Sequence, residues 1–138
     1  MKVMTALFGP TDAIDRARAL RAAGAAGVFT FEGPHDVFAP LTLASTVGGL
    51  DLLTNVAIAF PRNPMQLAHQ ANDHQVLAEG RFILGLGTQI RTQIEKRFGA
   101  EFDQPVARMT ELIAALRAIF ATWETGERLN FRGEFYRH

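Results

Sequence analysis

Residues 54–87, TNVAIAFPRNPMQLAHQANDHQVLAEGRFILGLG, contain one complete strand–helix–strand unit. Residues 54–60 and 81–87 are short and almost wholly apolar, which is typical of strands that are covered on both faces. Between them, Asn63 is a good helix N-cap, Pro64 suits the first helical position, and Gly80 ends the helix. The stretch therefore predicts two parallel strands joined by a right-handed helical crossover.

The same alternation of strand and helix extends to both sides of this unit. Further strands are predicted at residues 3–8 and 27–31, and a small hairpin that turns at Arg132–Gly133 is predicted at residues 129–136. The remaining predicted helices cover residues 12–23, 40–48, 93–97 and 105–125. The apolar stripe predicted to face the core from the last helix consists of Val106, Met109, Ile113, Leu116, Phe120 and Trp123.

Four consecutive β-α units define the expected fold class. Alternating units of this kind form an α/β fold with a parallel sheet. A closed TIM barrel of eight such units takes about 250 residues, whereas this chain has 138. We therefore expect a parallel (β/α) half of a TIM barrel, followed by a small C-terminal hairpin.

Composition excludes several functional classes. The 14 Lys and Arg residues balance the 14 Asp and Glu residues, so the basic excess of a nucleic-acid-binding surface is missing. Without cysteine the chain cannot form disulfides, iron–sulfur ligation or a thiolate nucleophile. No apolar run approaches the ~20 residues of a membrane span, and no signal peptide is recognisable, so we expect a cytoplasmic protein without membrane partners.

The predicted strand ends carry the polar residues that could perform chemistry. Glu32, His35 and Asp36 follow the second strand, and a carboxylate beside an imidazole suits proton transfer. Alternatively, Asp36 or His35 caps the next helix and Glu32 pairs with an arginine. We predict no metal site, because His69 and His74 lie five residues apart and do not share a helix face; both are interpreted as surface or packing residues.

Glycines at the end of the fourth strand could let the backbone approach a ligand closely. Gly85-Leu86-Gly87-Thr88 is not a dinucleotide fingerprint, because the position of the third glycine is occupied by Ile90. A tight turn is the alternative interpretation of these glycines.

Several motifs together resemble luciferase-like monooxygenases, most closely the coenzyme F-420-dependent branch. They are Phe60-Pro61-Arg62-Asn63-Pro64-Met65, the run Glu79 to Thr88 with its Gly-Arg-Phe-x-x-Gly-x-Gly pattern, Arg97-Phe98-Gly99, Glu32-x-x-His35-Asp36, Pro105-x-x-Arg108-Met109, Gly126-Glu127 and Phe131-x-Gly133-Glu134-Phe135-Tyr136. The resemblance covers essentially the whole chain. It implies that residues 1–125 form the N-terminal half of the barrel and that residues 126–138 begin the insertion segment found after the fourth strand.

The resemblance also implies a cofactor site. A flavin or deazaflavin, FMN or coenzyme F-420, would lie across the C-terminal mouth, supported by a non-proline cis peptide near Asn55-Val56 or one residue later. Gly87, Thr88 and Gln89 match residues that contact the ring, although relatives often have glycine in place of Gln89. Glu32 matches an acidic residue at the end of the second strand. Many relatives carry a histidine where this chain has Gly33, which leaves His35 as the nearest candidate.

Two functions are compatible with these observations. The first is an oxidoreductase that performs hydride transfer or monooxygenation on a small organic substrate, with Glu32 or His35 handling the proton. Because relatives hold the cofactor phosphate largely through the second half of the barrel, we expect weak cofactor binding by this chain alone. The second function is that of a non-catalytic, truncated paralogue that acts as a binding or assembly module.

The open edges of a four-stranded sheet favour self-association. The edges predicted at residues 3–8 and 82–87 contain no internal proline and no central charge that would discourage pairing. We therefore expect a homo-oligomer.

Overall fold

The computed structural model describes all residues, Met1–His138, and its elements alternate between strand and helix. In chain order they are β1 (Met4–Ala6), α1 (Ala13–Ala22), β2 (Gly27–Thr30), α2 (Ala39–Ser45), β3 (Asp51–Thr54), β4 (Ala57–Ile58), α3 (Pro64–Leu77), β5 (Phe82–Ile83), β6 (Leu86–Gly87), α4 (Arg91–Arg97) and α5 (Pro105–Thr125). Strands β1, β2, β3 and β5 form one sheet in that order, and each neighbouring pair is parallel. The parallel α/β fold expected from the sequence is confirmed.

Residues in the sheet alternate between a buried and a more open face. Val28, Leu52 and Phe82 are in register across three strands and are at most 7% exposed. One position further along each strand, Phe29, Leu53 and Ile83 are in register, and Ile83 on the edge strand β5 is 51% exposed. Helix α2 packs against β2 and β3 and against α1. The edge strands are β1 and β5, as the sequence predicts.

The third strand lies earlier in the chain than predicted. The prediction of one strand at residues 54–60 is wrong, because the sheet uses Asp51–Thr54 and Ala57–Ile58 forms a separate short strand. Asp51 disfavours a strand on propensity alone. In the structure its carboxylate is 2.8 Å from the Lys2 ammonium, and this ion pair satisfies the charge at the start of β3.

The predicted strand at residues 81–87 is also divided, into β5 and β6. The Thr54 hydroxyl donates to the Gly85 carbonyl at 2.8 Å and accepts from the Gly85 N–H at 2.9 Å. A Cβ atom on Gly85 would overlap the Thr54 carbonyl oxygen. Glycine is therefore required where the chain leaves the main sheet.

Helix α5 buries a different stripe from the one predicted. Its buried residues are Leu112, Ala115, Leu116 and Ile119. Of the predicted stripe only Leu116 is among them, while Val106 is 80% and Trp123 41% exposed. The prediction counted large apolar residues, whereas the helix buries the side that includes the small residue Ala115.

A hairpin follows α5, and its turn lies two residues later than predicted. Phe131 and His138 exchange two backbone hydrogen bonds of 2.9 and 3.0 Å, and the Gly133 N–H donates to the Tyr136 carbonyl. The turn is therefore centred on Glu134–Phe135 rather than on Arg132–Gly133.

The chain divides into two compact units. The first comprises Met1–Ala57 with Gln70–Gly87, and the second comprises Ile58–His69 with Thr88–His138. None of the helices combines the length and apolar character that crossing a membrane requires.

Candidate functional site

In the first unit, the candidate residues follow the ends of neighbouring strands. Thr30 and Thr54 are in register at the ends of β2 and β3, and the Asn55 N–H donates to the Thr30 carbonyl at 2.6 Å. The segments that carry Glu32 and Asn55 therefore leave the sheet at the same edge. This C-terminal edge is where active sites of parallel α/β folds are built.

The polar residues of the loop after β2 differ in their contacts, and only Asp36 bonds to the start of the next helix. One Asp36 carboxylate oxygen accepts the backbone N–H groups of Phe38 and Ala39, both at 2.8 Å. Asp36 therefore caps the start of α2, which confirms the structural alternative for this residue. His35 and Glu32 do not make that cap; His35 is exposed and Glu32 is half-buried.

The imidazole of His35 lies against the loop that follows β1. A Cβ atom built on Gly9 would be only 2.9 Å from Cδ2 and 3.1 Å from Nε2 of His35. A side chain at position 9 would therefore displace the imidazole. Gly9 brings the loops after β1 and β2 together at the same edge of the sheet.

Asn55, Val56 and Gly87 form the glycine-lined part of the site. The Asn55–Val56 peptide bond is cis, at the first of the two positions that the family resemblance left open. A Cβ atom on Gly87 would lie 2.5 Å from a methyl group of Val56, so only glycine fits there. The Asn55 side chain is exposed.

Thr88 and Gln89 follow Gly87 directly and belong to the second unit. The Thr88 hydroxyl donates to the Gln89 carbonyl at 3.1 Å, and the Gln89 side-chain oxygen accepts from the Ile90 N–H at 3.0 Å. Gln89 has a φ of 58°, in the left-handed region that glycine adopts without strain. This conformation is the physical reason why a glycine is suited to this position.

Thr88 also lines a mostly apolar cavity of about 360 Å³ in the second unit. The other lining residues are Phe102, Pro105, Val106, Met109, Thr110 and Ile113. The α5 residues that the sequence assigned to the core, Val106, Met109 and Ile113, therefore form the wall of this open cavity instead.

Two charged residues of α5, Arg108 and Glu111, hold the hairpin, a role that the sequence analysis did not assign to them. The Glu111 carboxylate accepts the backbone N–H groups of Glu134, Phe135 and Tyr136 at 2.7–2.9 Å. Arg108 donates to the Tyr136 hydroxyl at 3.2 Å and lies 5.1 Å from the centre of the Phe60 ring. The sequence signal that could have indicated this contact is the presence of both the Arg108 motif and the Gly133-Glu134-Phe135-Tyr136 motif in the family resemblance.

The environment of Glu111 changes its acidity. Desolvation raises the pKa of this carboxyl, but the backbone hydrogen bonds from Tyr136, Glu134 and Phe135, together with the positive charge of Arg137, outweigh it and hold the pKa below its usual value. A Cβ atom on Gly133 would overlap the same carboxylate. Glu111 is therefore an ionised anchor for the hairpin.

The histidines of α3 contribute packing and do not form a metal site. His74 is buried between the rings of Phe38 and Phe82, with Nε2 2.9 Å from the Thr42 hydroxyl. His69 is exposed and stacks on Trp123, with ring centroids 5.2 Å apart. No group of three or more His, Asp or Glu side chains is arranged to hold a metal ion.

Comparison with known proteins identifies relatives over the full chain. The family model described as luciferase-like monooxygenase matches residues 2–138. The uncharacterised protein Rv1360 of Mycobacterium tuberculosis is 51% identical over 127 residues, which are 91% of this chain and 37% of the relative. The chain thus spans little more than a third of the length of that curated relative.

Solved structures share the fold at low sequence identity. The monooxygenase RslO1 from Streptomyces bottropensis superposes with a TM-score of 0.79 at 23% identity, over 100% of this chain and 47% of that protein. The oxygenating constituent of 3,6-diketocamphane monooxygenase from Pseudomonas putida, in complex with FMN, gives 0.77 at 15% identity over 91% and 38%. The coenzyme F-420-dependent tetrahydromethanopterin reductase from Methanopyrus kandleri gives 0.73 at 15% identity over 99% and 44%.

Proposed function

Because the chain belongs to the luciferase-like monooxygenase family, we propose that it contributes to a flavin- or deazaflavin-dependent oxidoreductase. The ring of FMN or coenzyme F-420 would be bound at the strand ends by Asn55, Val56, Gly87, Thr88 and Gln89. Structural relatives with 15% sequence identity include one in complex with FMN and one that depends on coenzyme F-420, which supports this pair of cofactors.

The observation that carries the proposal is the packing of Gly87 against Val56 beside the exposed amide of Asn55. The absence of a side chain at Gly87 lets a Val56 methyl group reach its backbone, and this close packing fixes the position of the Asn55 segment at the strand end. The Asn55 amide can both donate and accept hydrogen bonds, which suits the mixed carbonyl and N–H edge of a flavin ring. The donor set of this part of the chain therefore fits the ring.

Glu32 and His35 are the residues proposed to manage the proton. A bound flavin or deazaflavin supplies a hydride acceptor or donor, and a reduced flavin can also activate oxygen. Glu32 or His35 would take the proton from a substrate hydroxyl during oxidation and return it to the oxygen during reduction. The contact with Gly9 holds the His35 imidazole beside the loop after β1, where it can serve this role.

The test is a fluorescence titration of the 138-residue chain with FMN and, separately, with coenzyme F-420. We expect weak but saturable binding, and Asn55→Ala should raise the dissociation constant several-fold because one bidentate hydrogen-bonding group is lost. The matched control is Asn72→Ala, since Asn72 is an exposed residue of α3. Absence of binding by the folded chain at any concentration would contradict the proposal and favour the non-catalytic module.

A further inference from the structure

Two large aromatic side chains are exposed at the ends of neighbouring strands in the first unit. Phe8, which follows β1, is 63% exposed, and Phe31, which follows β2, is 43% exposed. Their rings meet edge to face, with centroids 5.8 Å apart and an interplanar angle of 81°. Such a pair leaves apolar area in contact with water, and an apolar ligand would cover it.

Contacts on either side hold this aromatic pair in position. The Arg16 guanidinium of α1 lies 5.6 Å from the centre of the Phe8 ring. The Gly33 backbone lies beside the Phe31 ring, and a Cβ atom there would be in ordinary van der Waals contact with the ring, at 3.4 Å. A surface that is already ordered loses little conformational freedom when a ligand binds.

The aromatic pair lies at the same level of the sheet as the proposed ring site. Phe8, Phe31 and Asn55 are each two residues beyond Ala6, Phe29 and Leu53, which are in register across β1, β2 and β3.

The two residues proposed to manage the proton flank the pair. Glu32 directly follows Phe31, and His35 contacts Gly9, the residue after Phe8. The pair therefore combines an apolar surface with adjacent polar groups.

We propose that Phe8 and Phe31 select the substrate, and that the substrate is an uncharged, mainly apolar ketone or alcohol. The aromatic rings offer no strong hydrogen-bonding group, so they favour a carbon skeleton. The one carbonyl or hydroxyl group of such a substrate would interact with Glu32 and His35. This assignment of substrate class rests on the proposed oxidoreductase function, but binding of the substrate can be measured without the cofactor.

The experiment titrates the 138-residue chain with 2-butanone, 2-hexanone and 2-octanone while backbone amide shifts are recorded by NMR. Affinity should rise with chain length, by up to about fourfold for each methylene that is fully buried. Phe8→Ala and Phe31→Ala should each weaken 2-octanone binding by about tenfold, the effect of losing ~60 Å² of apolar contact. Phe8→Leu, which keeps an apolar side chain, guards against loss of folding and should show an intermediate effect.

The control variant is Val76→Ala, which truncates an apolar side chain on α3 that is 70% exposed and should leave binding unchanged. The inference is overturned if the affinity for the ketones does not depend on the length of their carbon chain, or if it survives both phenylalanine substitutions. It is also overturned by a loss of self-association in Phe8→Ala without ketone binding, because the pair would then be an interface between copies. If the chain binds the ketones but neither FMN nor coenzyme F-420, the role of the aromatic pair is supported and the cofactor proposal is contradicted. If it binds a cofactor but none of the ketones, only the proposed substrate class is overturned.

Discussion

At the scale of single residues, Gln89 is one of three non-glycine residues whose backbone lies in the left-handed region, together with Glu79 and Gln104. A residue other than glycine in the left-handed region costs on the order of 1–3 kcal/mol, and the Gln89 φ is 58°. We expect Gln89→Gly to change the free energy of unfolding by less than about 1 kcal/mol, because relief of strain offsets the lost bond to the Ile90 N–H. Gln89→Val should destabilise by about 1–2 kcal/mol, since β-branched residues avoid this region.

Urea unfolding of paired variants measures this preference. At Gln66, an exposed residue within α3, the order should be reversed, because glycine is worse than valine in a helix by a few tenths of a kcal/mol. The same order of glycine and valine at both positions would show that the backbone at Gln89 is not left-handed in solution.

At the scale of elements, the hairpin depends on α5 through Glu111. Because folding lowers the pKa of this carboxyl, its contribution to stability is fully present above the pKa of the unfolded chain and is lost as the pH falls through the lower folded pKa. We expect the amide hydrogens of Glu134, Phe135 and Tyr136 to lose exchange protection in that acidic range. In Glu111→Gln they should be poorly protected even at neutral pH, because the charge-assisted bonds are lost.

Hydrogen exchange followed by NMR tests this dependence, with Glu124→Gln, an exposed glutamate of the same helix, as the control. Protection of the three amides that is unaffected by Glu111→Gln would mean that the hairpin holds itself through the bonds between Phe131 and His138.

Elements with a strong local signal were predicted well from the sequence. The Asn63-Pro64 start of α3 is confirmed, with the Asn63 side chain accepting the Met65 N–H at 2.8 Å, and Gly126 ends α5 in the left-handed region. Strand β3 and the hairpin turn were misplaced because distant groups decide them. Lys2 neutralises Asp51, and the hairpin turn is set by Glu111, more than 20 residues away.

The candidate site, too, was predictable from the sequence only in part. The position of the cis peptide followed from the family resemblance, and Asp36 as a helix cap followed from local sequence. The contact of Gly9 with His35 and the pairing of Phe8 with Phe31 depend on the parallel register of β1 and β2, which no local pattern encodes.

At the scale of the whole molecule, the exposed sheet edges favour association. Ile83 on edge strand β5 is 51% exposed, and unpaired backbone groups at an edge invite pairing with another chain. We expect sedimentation equilibrium to give a mass above the 15.2 kDa of one chain. Ile83→Lys should shift the mass toward the monomer, because a central charge discourages edge pairing.

The matched control is Val76→Lys on α3, which adds the same charge to an exposed apolar position away from the sheet. A wild-type chain that stays monomeric at high concentration would rule out association through these edges. Equal dissociation by both lysine variants would instead indicate a general effect of charge.

The most direct test of the central proposal is to map the flavin site by NMR in the unmodified chain. Lumiflavin, which has the ring without a phosphate, and FMN would each be added while backbone amide shifts are followed. We predict that both ligands perturb Asn55, Val56, Gly87, Thr88 and Gln89 in a saturable manner. Saturable shifts confined to other parts of the chain, or no shifts at these five residues at ligand concentrations in the millimolar range, would contradict the proposal that the strand ends bind the cofactor ring.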